Sequence, residues 1–229
     1  MRELNKQDFA LLSAHVYGDM DGKLVLNKNR EIDLNGITYR VVKQSENKVN
    51  GYFGAIYQRL DTKDLITVHR GSQDIADVKT DMLMARDHIN RQYKDAEELT
   101  NYAISLTESS NPQFKNARIY QTGHSLGGSV AELCGNNFNQ QTHTFNAFGA
   151  ANLKEAKPNP YAAQLITNHR MGGDFVAAGA PHLGKEIVYA KPEEIQLLKN
   201  GGYGNGNPKD NKLFLDSDNF FYPTPVPMV

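Results

Sequence analysis

The segment that most constrains this chain is Ile119-Tyr120-Gln121-Thr122-Gly123-His124-Ser125-Leu126-Gly127-Gly128. An apolar run ends in Gly-x-Ser-x-Gly, and a helical pattern, Ser125–Phe138, follows at once. A serine at so sharp a strand-to-helix turn is forced into a strained backbone that exposes its Oγ. Gly123 and Gly127 have no Cβ, so neighbouring backbone can approach closely. The helix that starts there turns its free N–H groups and positive dipole end on the same point, which places the Leu126 N–H to hold an oxyanion. The alternative is a Gly-rich turn with an inert serine. The strand–helix junction and the extension to GHSLGG favour the nucleophile. A phosphate loop is excluded, because no Gly-Lys-Ser/Thr follows.

The rest of the chain is organised around this junction. A short amphipathic helix starts near Lys6, with Phe9, Leu11, Leu12, Val16 and Tyr17 on its apolar stripe. Glu31–Leu34 and Ile37–Val42 flank Asn35-Gly36, whose two positive φ angles suit a hairpin. Phe53–Leu60 and Leu65–His69 read as strands, and a helical stretch runs from about Ala76 to Leu106. From there strand and helix alternate: Ala117–Gln121, then Ser125–Phe138, then the strands Thr142–Phe148, Gln164–Met171 and Ile187–Ala190, and a short helix Pro192–Lys199. Such alternation predicts an α/β fold, a mostly parallel central sheet with helices on both faces. Gly201–Asn211 reads as a loop. The 229 residues fit one domain, 1–229. The apolar, Pro-rich end FFYPTPVPMV suggests that the chain packs this end on its body or continues into a longer protein.

Composition removes several functions. Twenty-five Lys and Arg face 26 Asp and Glu, for a net charge of −1, so neither a nucleic-acid surface nor a polybasic membrane tether is expected. One cysteine excludes an internal disulfide framework. No apolar run reaches the length of a membrane span. The N-terminus has too short an apolar stretch for a secretory signal, so the expectation is a soluble protein made in the cytoplasm. No HExxH or Cys/His pairing suggests a metal, and no cofactor is expected.

TGHSLGG resembles the class 3 lipases, the α/β-hydrolases that include fungal triacylglycerol lipases and plant phospholipases A1. Ile66-Thr67-Val68-His69-Arg70-Gly71-Ser72, with Asp81 nine residues on, resembles the family's strand ending in F-R-G-[ST] and its following Asp. The resemblance implies Ser72 as the second oxyanion donor and Asp81 as the residue that orients it. His69 stands where the family usually has Phe and receives no catalytic role. Gly173-Asp174-Phe175-Val176 resembles the segment that carries the triad acid, and Pro181–Glu186 the approach to the last strand. The resemblance covers roughly residues 52–190. The combination of AIYQR, HRGS, GHSLGG and TFNAFGA is also similar to bacterial antibacterial effector lipases delivered by contact-dependent secretion. It implies a lipid substrate at a membrane surface and a cognate immunity or inhibitor protein. The expected activity is acyl-ester hydrolysis by a lipase or phospholipase. A small-ester esterase or thioesterase, or a silent relative that binds lipid or a partner, remains open.

Triad order gives an independent check. In α/β-hydrolases the acid and then the base follow the nucleophile. Glu132 lies two turns down the nucleophile helix and cannot fold back. Asp174 follows an apolar strand and two glycines, at a strand end where such folds place catalytic groups. Of the seven histidines only His182 follows Asp174, and it precedes the last predicted strand. Three explanations stand: the base lies beyond Val229, His182 serves from an unusually short loop, or the chain is catalytically silent.

Overall fold

We describe the protein from a computed structural model, over residues 2–18, 31–71, 82–172, 174, 177 and 180–190, with the side chains of 82–86, 88 and 90 left aside. Helix α1 (Lys6–His15) begins at a capping box. The Asn5 side chain accepts the Gln7 and Asp8 N–H groups, and the Asp8 carboxylate accepts the Asn5 N–H. The hairpin follows the Asn-Gly signal: β1 (Glu31–Leu34) and β2 (Ile37–Asn47) meet at Asn35 and Gly36, with φ of 52° and 71°. After β3 (Tyr52–Arg59) and β4 (Leu65–His69) comes α2 (Met82–Glu108). Then follow β5 (Ile119–His124), α3 (Leu126–Phe138), β6 (Gln141–Phe145), α4 (Ala162–Leu165), β7 (Ile166–Met171) and β8 (Lys185–Tyr189).

All eight strands form one sheet in sequential order, antiparallel from β1 to β4 and parallel from β4 to β8. Sequential order has a physical consequence. Every parallel crossover steps in the same direction with the same right hand, so α2, α3 and α4 fall on one face. The opposite face is covered by α1, whose Phe9, Leu12 and Val16 join Tyr39, Tyr57, Ile66, Val68 and Tyr120 in a buried cluster. The strands alternate between the two sides. Ile56 and Leu65 pack with Leu99, Val130 and Leu133 on the α2–α3 side, while Ala55 and Ile66 face α1. Each such Leu, Ile or Val side chain, fully buried, contributes about 1.5–3 kcal/mol.

Three sequence boundaries move. The strand expected over Thr142–Phe148 stops at Phe145, where Asn146 takes a φ of 44°. The first residues expected in the Gln164–Met171 strand close the short helix α4 instead. The strand near Ile187 runs Lys185–Tyr189. The expected helix start at Ala76, the helix Pro192–Lys199, the loop Gly201–Asn211 and the apolar end lie outside the described residues. Among the described residues no helix is long and apolar enough to cross a membrane.

Candidate active site

Because β4 to β8 are parallel, their C-terminal ends share one edge of the sheet. Ser125 sits there, directly after β5. Its φ of 55° and ψ of −132° are the strained backbone that the Gly-x-Ser-x-Gly spacing predicts, a conformation costing about 1–3 kcal/mol that surrounding packing must hold. The Ser125 N–H donates to the Phe145 carbonyl at 3.0 Å, and its own carbonyl accepts the Gly128 N–H at 2.9 Å. A Cβ on Gly127 would stand 2.3 Å from the His69 oxygen, so only glycine lets the end of β4 press against the turn. Gly71 completes the contact, since its missing Cβ would lie 3.2 Å from the Ser125 Cβ. Leu126 is the first residue of α3, where the backbone N–H has no carbonyl one turn before it in the helix. Ser72 and Asp81, the other two expected oxyanion residues, lie outside the described residues.

A residue that sequence reading took for plain core joins this corner. The Tyr17 hydroxyl accepts the Gly71 N–H at 3.1 Å and lies 3.0 Å from His124 Nδ1. The hydroxyl also lies 3.5 Å from the His124 carbonyl, which can take its proton, so Tyr17 meets both the ring and the backbone of His124. Burial pushes His124 down to about 4 and Tyr17 up to about 12, so both stay uncharged near neutrality. Tyr17 thus ties the residue before Ser72 to the residue before Ser125.

Asp174 lies just past the end of β7, on the same edge as Ser125 and separated from it by β6. Its N–H donates to the Met171 carbonyl at 3.0 Å, and its Oδ1 accepts the Ala177 N–H at 3.1 Å. His182 is placed differently from what a base requires. Its Nδ1 is 2.6 Å from Glu132 Oε1, and its Nε2 is 2.8 Å from the Ala177 carbonyl. A carbonyl can only accept, so Nε2 carries a hydrogen and has no lone pair for Ser125.

Glu132 is the second residue that sequence reading missed. It is fully buried on α3, and its Oε2 accepts the Ala150 and Leu183 N–H groups at 3.2 and 3.0 Å. Burial raises the Glu132 carboxyl, with His182 and the two amides opposing it. Burial likewise opposes charge on His182, but Glu132 outweighs it and lifts the imidazole above its ordinary value. Three donors around one carboxylate favour the proton on His182. The available signal was a lone acid within the apolar run Val130–Cys134.

The other histidines with described side chains are also committed. His69 Nε2 bonds Gln121 Oε1 at 2.8 Å and its Nδ1 lies 3.0 Å from the Tyr52 hydroxyl. His143 and His169 pair at 2.9 Å on the α1 face, and His15 lies 3.0 Å from the Tyr57 hydroxyl. Among the described residues no group of three or more His, Cys, Asp or Glu could hold a metal ion.

A strained serine between a parallel strand and a helix, with a neighbouring strand end pressed on its glycines, defines an α/β-hydrolase of the lipase type. The chain belongs to the phospholipase-like family described as the Tle-like phospholipase domain, whose sequence model matches residues 8–181. The match reaches further towards the N-terminus than the motifs do, and takes in most of α1 and Tyr17. The fold is similar to the lipase in the lipase–propeptide complex of Rhizomucor miehei (TM-score 0.58, 17% identity, covering 79% of this chain and 66% of that one). It is also similar to a triacylglycerol lipase from Penicillium expansum (0.54, 16%, covering 84% of each). A third likeness is to a variant of MDLA from Penicillium cyclopium (0.53, 16%, covering 67% and 65%). The chain spans just under two thirds of the length of the Rhizomucor and Penicillium cyclopium proteins. No protein of curated function matches in sequence.

Proposed function

We propose that this protein is a serine hydrolase that cleaves acyl esters of membrane glycerophospholipids through a Ser125 acyl-enzyme. The observation that carries this is the Ser125 backbone, φ 55° and ψ −132°, clasped by glycines at the C-terminal edge of a parallel sheet. In this reading Ser125 Oγ attacks the ester carbonyl, and the oxyanion accepts from the Leu126 N–H and from Ser72, oriented by Asp81. Asp174 orients the histidine that takes the Ser125 proton. His182 has both ring nitrogens engaged, so in this reading it does not take the Ser125 proton. The family and the lipase fold support a lipid ester as substrate. The motif resemblance supports, beyond this, an antibacterial effector that acts on a target cell and is neutralised by an immunity protein.

A fluorophosphonate probe tests the centre. Full-length protein should label, and Ser125→Ala should abolish labelling. Turnover of phospholipid vesicles should exceed that of monomeric short-chain esters. Absence of labelling would sink the serine mechanism, and preference for monomeric esters would make the protein an esterase without interfacial action. Asp174→Asn should lower kcat by about 10⁴ with the fold intact, as loss of a triad acid does elsewhere. A near-native rate would mean a different carboxylate serves.

A further inference from the structure

Glu132 lies two turns into the helix whose first turn carries Ser125 and Leu126, and it is 0% exposed. A carboxylate at such a depth is costly unless every lone pair is met. Here three donors converge on it from two segments: the Ala150 N–H from the loop after β6, and the Leu183 N–H and His182 imidazole from the stretch that runs from the loop after β7 into the start of β8. The contacts then continue. His182 Nε2 donates to the Ala177 carbonyl, and the Ala177 N–H donates to Asp174 Oδ1. Ala177, fully buried, is held at both ends of its peptide.

We propose that Glu132 and His182 are positioning residues, which tie the loop bearing Asp174 to the helix bearing Ser125 so that acid and nucleophile keep one relative placement. The proposal rests on the reading of Ser125 as nucleophile and Asp174 as acid. Its logic is mechanical. Ser125 follows β5 and Asp174 follows β7, with β6 between them, and Asp174 stands on a loop. A displacement of about 1 Å in such a constellation costs on the order of 100-fold in rate. The Glu132–His182–Ala177 contacts refer the loop to α3, the same rigid element that presents the Leu126 N–H. Stability alone is a poor reason to keep this pair, because a buried ion pair is usually matched or bettered by apolar residues of similar volume. Packing adds to the same anchor: a Cβ on Gly149 would lie 2.1 Å from the Ala180 oxygen, and the Ala151 N–H donates to the Pro181 carbonyl at 3.0 Å.

Substitutions separate positioning from stapling. Glu132→Gln preserves every bond: its amide oxygen accepts the two backbone N–H groups, and its amide nitrogen donates to Nδ1 of a neutral His182. It should keep at least about a third of native kcat, whereas Glu132→Ala should not. The double variant Glu132→Gln/His182→Leu leaves no buried charge but releases Ala177. It should unfold cooperatively and lose about tenfold or more in kcat, with KM within about twofold of native. Its acid limb in kcat/KM against pH should move down by about half a unit, because a loosened Asp174 supports the catalytic imidazolium less well. A role in stability alone would lower amplitude without moving the limb. Should the double variant fail to fold, Glu132→Asp displaces the link by one methylene while keeping its charge, and should lower kcat by about threefold or more. Added to Asp174→Asn, the double substitution should cost nothing further, since both act through one carboxylate. Native kcat in the folded double variant or in Glu132→Asp, or full additivity with Asp174→Asn, overturns the proposal. Asp174→Asn at native rate instead overturns the acid assignment, and the positioning role with it.

Discussion

His69 turns a buried polar network into a measurable acid sensitivity. It ends β4, fully buried on the α2–α3 side, and the proton inventory around it is closed. Gln121 Nε2 donates to Thr100 Oγ1 and Gln140 Oε1, so Gln121 presents its oxygen to His69 Nε2, which therefore carries the hydrogen. Nδ1 is left to accept the Tyr52 hydroxyl, whose own ionisation burial moves far above neutrality. Burial pushes His69 down to about 4, against an ordinary value of 6.5, and the Gln121 bond only partly offsets it. The folded pKa lies below the unfolded one, so between these values the unfolded chain takes a proton that the native state refuses. Stability is present above about 6.5 and drains away as pH falls towards 4. At 1.36 kcal/mol per unit the gap corresponds to about 3 kcal/mol, of which about 2.5 kcal/mol is lost by pH 4.5.

The assay is equilibrium urea denaturation of native protein and His69→Phe at pH 7.5, 5.5 and 4.5. His69→Phe should be less stable at pH 7.5, because it orphans Gln121 and Tyr52. Its deficit should shrink by about 2.5 kcal/mol on going to pH 4.5, since it has no imidazole to protonate. Stability curves that stay parallel from pH 7.5 to 4.5 would refute the argument, and would mean that His69 takes its proton without leaving its site.

Two further substitutions probe the turn. Gly127→Ala puts a Cβ 2.3 Å from the His69 oxygen and 2.6 Å from the Arg70 carbonyl carbon, both backbone atoms that cannot swing aside. It should destabilise by about 1–3 kcal/mol or more in thermal unfolding and remove fluorophosphonate labelling even where the chain stays folded. Tyr17→Phe deletes the hydroxyl between Gly71 and His124. It should cost about 1–3 kcal/mol for the orphaned amide, and lower kcat more than it raises KM, as steady-state kinetics on a monomeric ester would show.

The parts of the fold written in short-range pattern were legible. Asn35-Gly36 named its hairpin, the alternation after Leu65 named the parallel sheet, and Gly123-x-Ser125-x-Gly127 named the turn that strains Ser125. What escaped were residues whose role depends on partners far along the chain. Tyr17 looked like one more apolar residue on α1, because its hydroxyl meets Gly71, 54 residues away. Glu132 looked inert because it cannot reach Ser125, yet its partner His182 lies 50 residues on, beyond two further strands. Periodicity reports which face a residue occupies, and it carries no information about which polar group waits there. His182 illustrates the same limit. Its place after Asp174 in the chain suggested a base, and only its two hydrogen bonds reveal that both nitrogens are engaged.

Several polar side chains near the strand ends share a pattern that sequential strand order favours. A sheet whose crossovers all step one way has a catalytic edge assembled from consecutive loops, each free to drift relative to its neighbours. Apolar packing is non-directional and fixes such loops poorly, whereas a hydrogen bond fixes distance and angle. Polar side chains around this edge accordingly reach across strands. Tyr17 joins the end of β4 to the end of β5. Asn146 accepts the Met171 N–H at 2.9 Å and joins the ends of β6 and β7. Asn168 donates to the Leu183 carbonyl at 2.6 Å and joins β7 to the approach of β8. Glu132 then binds the loops after β6 and before β8 back to the helix that follows β5. Together these links run from β4 to β8, the Asn168–Leu183 bond lying towards the end of the sheet where β8 begins. A single loosened link therefore displaces its own loop against an otherwise fixed edge, which is why Tyr17→Phe and the Glu132–His182 variants are expected to act on kcat before they act on folding.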